Sequence, residues 1–294
     1  EQQQLCQAFE SRETTDNKQL PRIAVDWDRA LSGWDREMFM LRWTPKNITV
    51  STIRKYINWR SFHHFWRTSP YTKEGRAMRA EAEKILNRIA NQKIRGRVES
   101  FRAWSDGESI VISNGEIGEI KIPTPRQRVV NADGVALSLA DFVAPKEFDD
   151  ALCLFAVTIP KRLVSAIERF KEGGDDYNAL LYQSVADRVV EAASEYMHRQ
   201  MRYNWYFAYD NHKELIEAED RLTIPQLFAA KYRGIRPAVG YSCLPNQRII
   251  FDIDRVLHLK DIGISLTESG AMYPQSSVCG LYINSEVAKY FIIA

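Results

Sequence analysis

A mixed α+β domain is the fold class this sequence predicts, on three observations. Helical and strand-like stretches do not alternate strictly as βαβ units. Neither common phosphate-binding fingerprint is present, G-x-G-x-x-G or G-x-x-x-x-G-K-[ST]. Ala151-Leu152-Cys153-Leu154-Phe155-Ala156-Val157 is continuously apolar, the pattern of a strand covered on both faces.

In chain order, helices are predicted over 49–68, 74–95, 161–171, 175–202, 213–218, 224–232 and 252–261. Strands are predicted over 97–104, 108–113, 118–122, 150–158, 276–284 and 288–293. The 175–202 helix is the best defined. Asp175 and Asp176 stand at its start, where carboxylates cap free N–H groups and meet the positive end of the dipole. Tyr177, Leu181, Val185, Val189, Ala192 and Tyr196 fall on one arc at about 100° per residue. Arg188 and Glu195 lie inside or beside that arc, and Glu191 on its shoulder. These charges read either as an intrahelical network at the rim of the core, or as groups facing a polar ligand or a partner loop. Residues 1–20 are polar and read as a linker or solvated helix, with one domain over 21–294. Gly173-Gly174 is the strongest internal break and reads as a loop.

Composition narrows the partners. Among 294 residues, 40 are basic and 38 acidic, which gives no general reason to expect a nucleic-acid partner. The basic 85–102 stretch and the aromatic 203–209 run read as a solvated face rather than a nucleic-acid surface. No apolar run approaches the ~20 residues that span a bilayer, and no signal peptide is visible in 1–20. A cytoplasmic protein is expected. Cys6, Cys153, Cys243 and Cys279 lack C-x-x-C spacing, and His63-His64 project apart on a helix, so no metal site is expected.

The densest candidate site is Arg236-Pro237-Ala238-Val239-Gly240-Tyr241. Arginine offers a planar fork for a carboxylate. Pro237 stiffens the loop, Gly240 allows close backbone approach, and Tyr241 supplies a ring face and a hydroxyl. On these residues alone, a structural corner and an amino-acid grip are both open. A second block follows at Leu266-Thr267-Glu268-Ser269-Gly270-Ala271-Met272-Tyr273-Pro274.

These two blocks resemble the S-adenosylmethionine-binding region of the reactivation domain of cobalamin-dependent methionine synthases. The likeness extends over most of 22–294. It takes in Val25-Asp26-Trp27, Tyr56-Ile57-Asn58-Trp59-Arg60-Ser61-Phe62, Leu139 to Lys146, Asp175 to Asn178, Ala186 to His198, and Ser277-Val278-Cys279-Gly280, all in one order. The resemblance implies a single C-shaped α+β domain with a central, largely antiparallel twisted sheet flanked by helices. It implies S-adenosylmethionine as cofactor, in a shallow groove. Cobalamin would enter only through a partner domain, which this domain meets when the cofactor has lapsed to cob(II)alamin. A flavodoxin-like protein would supply the electron. Cobalt carries the methyl group, so no catalytic residue is expected on this chain.

Carried over residue by residue, the resemblance implies ligand contacts at Asn58, Glu191, Arg236, Ala238, Tyr241, Tyr290 and Phe291. Arg236 would hold the ligand carboxylate, and the Ala238 backbone would add contacts. Phe291 stands where the family has a tyrosine, and Asn58 where it has an aspartate. Exchanging a charged for a neutral hydrogen bond trades about 1.5–3 for about 1 kcal/mol, or about tenfold in affinity. No D-x-H-x-x-G cobalamin motif occurs. The resemblance reads the chain as a C-terminal piece of a larger synthase, preceded by a linker and cut short after Lys289-Tyr290-Phe291. A stand-alone S-adenosylmethionine-binding or sensing module, or a reactivator of a separate corrinoid protein, is the alternative.

Overall fold

The structure, a computed structural model, describes residues 20–39, 42–43, 47–113, 115 and 118–293. The predicted linker therefore falls almost wholly outside the described residues. Its frame is one antiparallel sheet. β2 (Arg95–Asp106) runs through the middle, and β5 (Asp150–Thr158) lies along one edge of it. The other edge pairs with β1 (Arg42–Trp43) and then β3 (Ser109–Ser113), which pairs with β4 (Glu119–Pro123). β8 (Ser277–Tyr282) closes the far side against β5, giving the order β4-β3-β2-β5-β8 in a curled sheet. A separate two-stranded hairpin, β6 (Ser265–Leu266) with β7 (Met272–Tyr273), stands apart.

β5 is buried along its whole length because a core lies on each face. Ala151, Cys153, Phe155 and Val157 point into one core, and Leu152, Leu154 and Ala156 into the other. The period of two sends alternate side chains to opposite faces, so a strand between two cores must be apolar throughout.

The first core is covered by helices. They are α3 (Val50–Ile53), α4 (Trp59–Phe65), α5 (Lys73–Arg88), α6 (Lys161–Glu172) and α7 (Asp176–Phe207), after the short α1 (Trp27–Ala30) and α2 (Arg36–Phe39). α7 starts as predicted: Asp175 Oδ1 accepts from the Asn178 N–H at 3.1 Å. It continues to Phe207 rather than 202. Leu181, Val185, Val189 and Ala192 are buried, but Tyr177 is exposed at the first turn. After α8 (His212–Asp220) and α9 (Ile224–Phe228), α10 (Ile249–Leu257) covers the second core with Ile249, Ile250, Ile253 and Val256.

Several predicted elements differ: α5 stops at Arg88, and Arg95 of its predicted span already opens β2, while α9 stops at Phe228 because Ala230 turns left-handed (φ 51°). The 49–68 helix is broken: Ile57 and Asn58 are extended, and Asn58 caps α4 through its Oδ1, which accepts from the Ser61 N–H at 3.1 Å. A short polar side chain offers the backbone an alternative to continuing a helix. The predicted 252–261 helix starts earlier, at Ile249, and stops at Leu257, because His258 turns left-handed (φ 48°). Residues 288–293 form no strand but an irregular strap, pinned by single bonds. Gln127 Nε2 donates to the Ile292 carbonyl, and the Ile293 N–H donates to that of Ser242. Among the described residues, no helix is long and apolar enough to cross a membrane.

Candidate functional site

The two cores leave a groove of about 610 Å³ between α7, the break before α4, the 227–232 segment, the Arg236–Cys243 loop and the 290–292 strap. Asn58, Glu191, Arg236, Ala238, Tyr241, Tyr290 and Phe291 all line it, although they come from four separate parts of the chain.

Each is placed by a local cause. The helix break sets Asn58 at the groove edge. Its Oδ1 is spent on the cap, so the amide nitrogen is what remains for a ligand. Glu191 projects from the middle of α7, 3.0 Å from Arg188. Burial raises its carboxyl above the ordinary range; Arg188 and Arg236 oppose the rise and Asp187 adds to it.

The Arg236 loop lies across β8 and is seated by glycines. The Val239 N–H donates to the Cys279 carbonyl, and the Leu281 N–H to that of Pro237, both at 3.0 Å. Gly280 lies beneath: a Cβ there would sit 2.1 Å from the Pro237 oxygen. Gly240 adopts φ 84°, a region open to glycine and strained for other residues.

Arg236 is the electrostatic centre. Its Nη2 lies 2.9 Å from Glu195 Oε2, while its buried Nε has no hydrogen-bond partner. Burial alone would lower its pKa, but Glu195, with the tyrosines around it, holds it above the ordinary value. Its N–H donates to Tyr290 Oη at 3.0 Å, so that hydroxyl fixes the loop as well as facing the groove. Tyr241 is exposed at the rim. The Phe291 ring is buried and meets Phe142 edge-on, centroids 6.2 Å apart, so it belongs mainly to the second core.

The charges noted on α7 satisfy both readings offered for them. Arg188 and Glu191 pair within the helix, while Glu195 reaches a partner loop at Arg236. The second motif block, in contrast, does not line the groove. It forms the β6–β7 hairpin, where the Gly270 carbonyl accepts from Gln247 Nε2 at 2.8 Å and Gly270 takes φ 84°.

Sequence reasoning missed the wall made by Leu227, Phe228, Ala229, Ala230 and Tyr232, which carries no motif. One signal lies in its backbone. α9 ends in a double bond closure, Ala230 N–H to the Leu227 carbonyl and Lys231 N–H to that of Gln226. Ala230 takes the left-handed position (φ 51°) that glycine usually fills. Among the described residues, no group of three or more side chains could hold a metal ion.

With this geometry in view, two comparisons agree. Residues 49–294 match the family described as the activation domain of vitamin B12 dependent methionine synthase. A crystal structure of the MetH reactivation domain bound to AdoHcy is 28% identical, with a TM-score of 0.79. The match covers 93% of this chain and 86% of that one. Family, sheet order and groove lead to one conclusion: this chain belongs to the activation-domain family of cobalamin-dependent methionine synthase, a methyltransferase.

Proposed function

We propose that the groove binds S-adenosylmethionine and presents it to a cobalamin-binding domain, so that an enzyme that has lost its methyl group regains it. The observation that carries this reading is Arg236. A partly buried guanidinium that lines the groove, with its Nε–H unpartnered, suits the carboxylate of an amino-acid ligand.

The rest of the groove matches the remaining ligand groups. Glu191 supplies negative charge for the ligand's ammonium and sulfonium. The Asn58 amide and the Ala238 backbone offer hydrogen bonds, and Tyr241 and Tyr290 offer ring faces beside the buried Phe291. AdoHcy, held by the similar MetH reactivation domain, differs from this ligand only by the methyl group and its charge. When bound, S-adenosylmethionine supplies the methyl group and the partner's cobalamin receives it, with the electron coming from a flavodoxin-like protein. The chain's own residues bind and orient, which is where a protein adds to such chemistry. In this reading the other substrate sites lie on other modules, and the protein works in the cytoplasm.

Isothermal titration with S-adenosylmethionine and with AdoHcy tests the reading. Micromolar binding is expected, with Arg236→Ala weakening both by about tenfold or more. Absent binding, or binding indifferent to Arg236→Ala, overturns it.

A further inference from the structure

Behind Arg236 runs a chain of alternating charges that reaches out of the groove. Glu195, with 4% of its side chain exposed, lies 2.9 Å from Arg236 through Oε2 and 3.8 Å from Arg202 through Oε1. Arg202, with 1% exposed, is gripped by both oxygens of Glu219 at 2.9 Å and lies over the Tyr232 ring at 3.9 Å. Glu219 stands on α8, just before the segment that forms the groove wall. One buried chain of ions thus ties α7, α8, the wall and the Arg236 loop together.

We infer that Glu195 is a positioning residue. It aims the Arg236 guanidinium at the ligand carboxylate, anchored in turn through Arg202 and Glu219. The inference rests on the reading of Arg236 given above. Two effects of removing the Glu195 charge oppose each other. Arg236 would present a less neutralised charge to an anion. Arg202 and Arg236 would also face each other with no anion between them. Arg202 is enclosed and held by two bonds, so it stays. Arg236, with 25% of its side chain exposed, is the one that can swing out. On a groove wall open to water the Coulombic gain is screened, whereas lost aim removes a directional, bidentate contact. Loss of aim wins.

The test is the ratio of affinities for AdoHcy and for 5′-methylthioadenosine, which lacks the amino-acid end, carboxylate and ammonium together; the change on Arg236→Ala isolates the carboxylate's part. The full chain is measured by titration calorimetry as wild type, Glu195→Gln, Arg236→Ala and the double variant. Glu195→Gln is expected to lower the ratio by about tenfold, with 5′-methylthioadenosine binding nearly unchanged. In the Arg236→Ala background it is expected to have no further effect. A purely structural role would weaken both ligands alike. A ratio that stays, or rises because Glu195 only competes for Arg236, overturns the inference while leaving the ligand site intact. A wild-type ratio near one, or one that survives Arg236→Ala, overturns the carboxylate reading itself and this inference with it. Should Glu195→Gln fail to fold, Glu195→Asp carries the test: it keeps the charge but withdraws it by one methylene, and the ratio should again fall.

Discussion

Gly280 is where the fold and the groove can be separated by one methyl group. A Cβ built on Gly280 would lie 2.1 Å from the Pro237 oxygen and 2.8 Å from the Ala238 Cα. Ordinary contact begins near 3.4 Å, so the loop must retreat by about 1.3 Å (3.4 less 2.1) or the strand must bend. Retreat stretches the two 3.0 Å bonds that seat the loop, Val239 to Cys279 and Leu281 to Pro237. At about 0.5–1.5 kcal/mol each, their loss in Gly280→Ala costs about 1–3 kcal/mol. Urea unfolding followed by tryptophan fluorescence measures that cost. The same retreat carries Arg236 and Ala238 off the groove wall. Affinity for AdoHcy should therefore drop by at least about tenfold in protein that is still fully folded at 25 °C. A Gly280→Ala variant with wild-type affinity would refute the reasoning, since it would mean the loop's seat on β8 does not set the groove. A variant that loses stability but keeps affinity would refute it equally.

Further outcomes follow from single features. Ala230→Gly relieves a left-handed alanine and should stabilise the protein by about 1 kcal/mol, read from the denaturation midpoint. Arg126→Ala strips the buried Asp141 of a bidentate partner at 2.6 and 2.7 Å, which should cost about 3–5 kcal/mol in the same measurement. Tyr290→Phe removes the acceptor of the Arg236 N–H and should weaken AdoHcy binding about fivefold, with stability falling by only about 1 kcal/mol. Asp150 gives a pH signature. Burial pushes its carboxyl up to about 6, against two backbone N–H donors and Arg233 that pull it down. The native state therefore holds this proton more tightly than the unfolded chain, and the group's contribution to stability is lost as pH rises from 3.8 through about 6. A rise from 3.8 to about 6 corresponds to a loss of about 3 kcal/mol. Asp150→Asn, compared with wild type across that range by chemical denaturation, should lack this slope.

The sheet and the long helix were legible because each writes its environment into the sequence. β5 has two cores and so no polar residue between Ala151 and Val157. α7 has a capping aspartate, Asp175, and a buried arc. The breaks were less legible. Nothing in Tyr56-Ile57-Asn58-Trp59 distinguishes a helix that continues from one that restarts, and the choice is made by a single side chain-to-backbone bond. The 288–293 run is apolar enough for a strand but cannot pair with β8, which is already paired with β5 on one side and bridged to the Arg236 loop on the other. The seven candidate residues marked by the resemblance all came to line the groove. The 227–232 wall was not, because it contributes shape rather than a charged or conformationally special side chain. Ala230 fills a glycine position without being glycine.

The spacing of Glu191 and Glu195 explains why one helix can both line the groove and hold the Arg236 loop. Four residues on, a helix has turned just past one full turn, so the two carboxylates share a face but differ in depth. Glu191 sits where water and Arg188 still reach it, and burial raises its pKa only against their opposition. Glu195 lies one turn further into the protein, where a carboxylate must be paired, and Arg236 and Arg202 flank it. Sequence spacing thus becomes a division of roles: the shallower acid faces the groove, and the deeper one holds the arginine opposite it. Because α7 is buried against the sheet and the surrounding helices through much of its length, Glu195 cannot shift without moving the core. The groove is therefore set by the same packing that makes the fold.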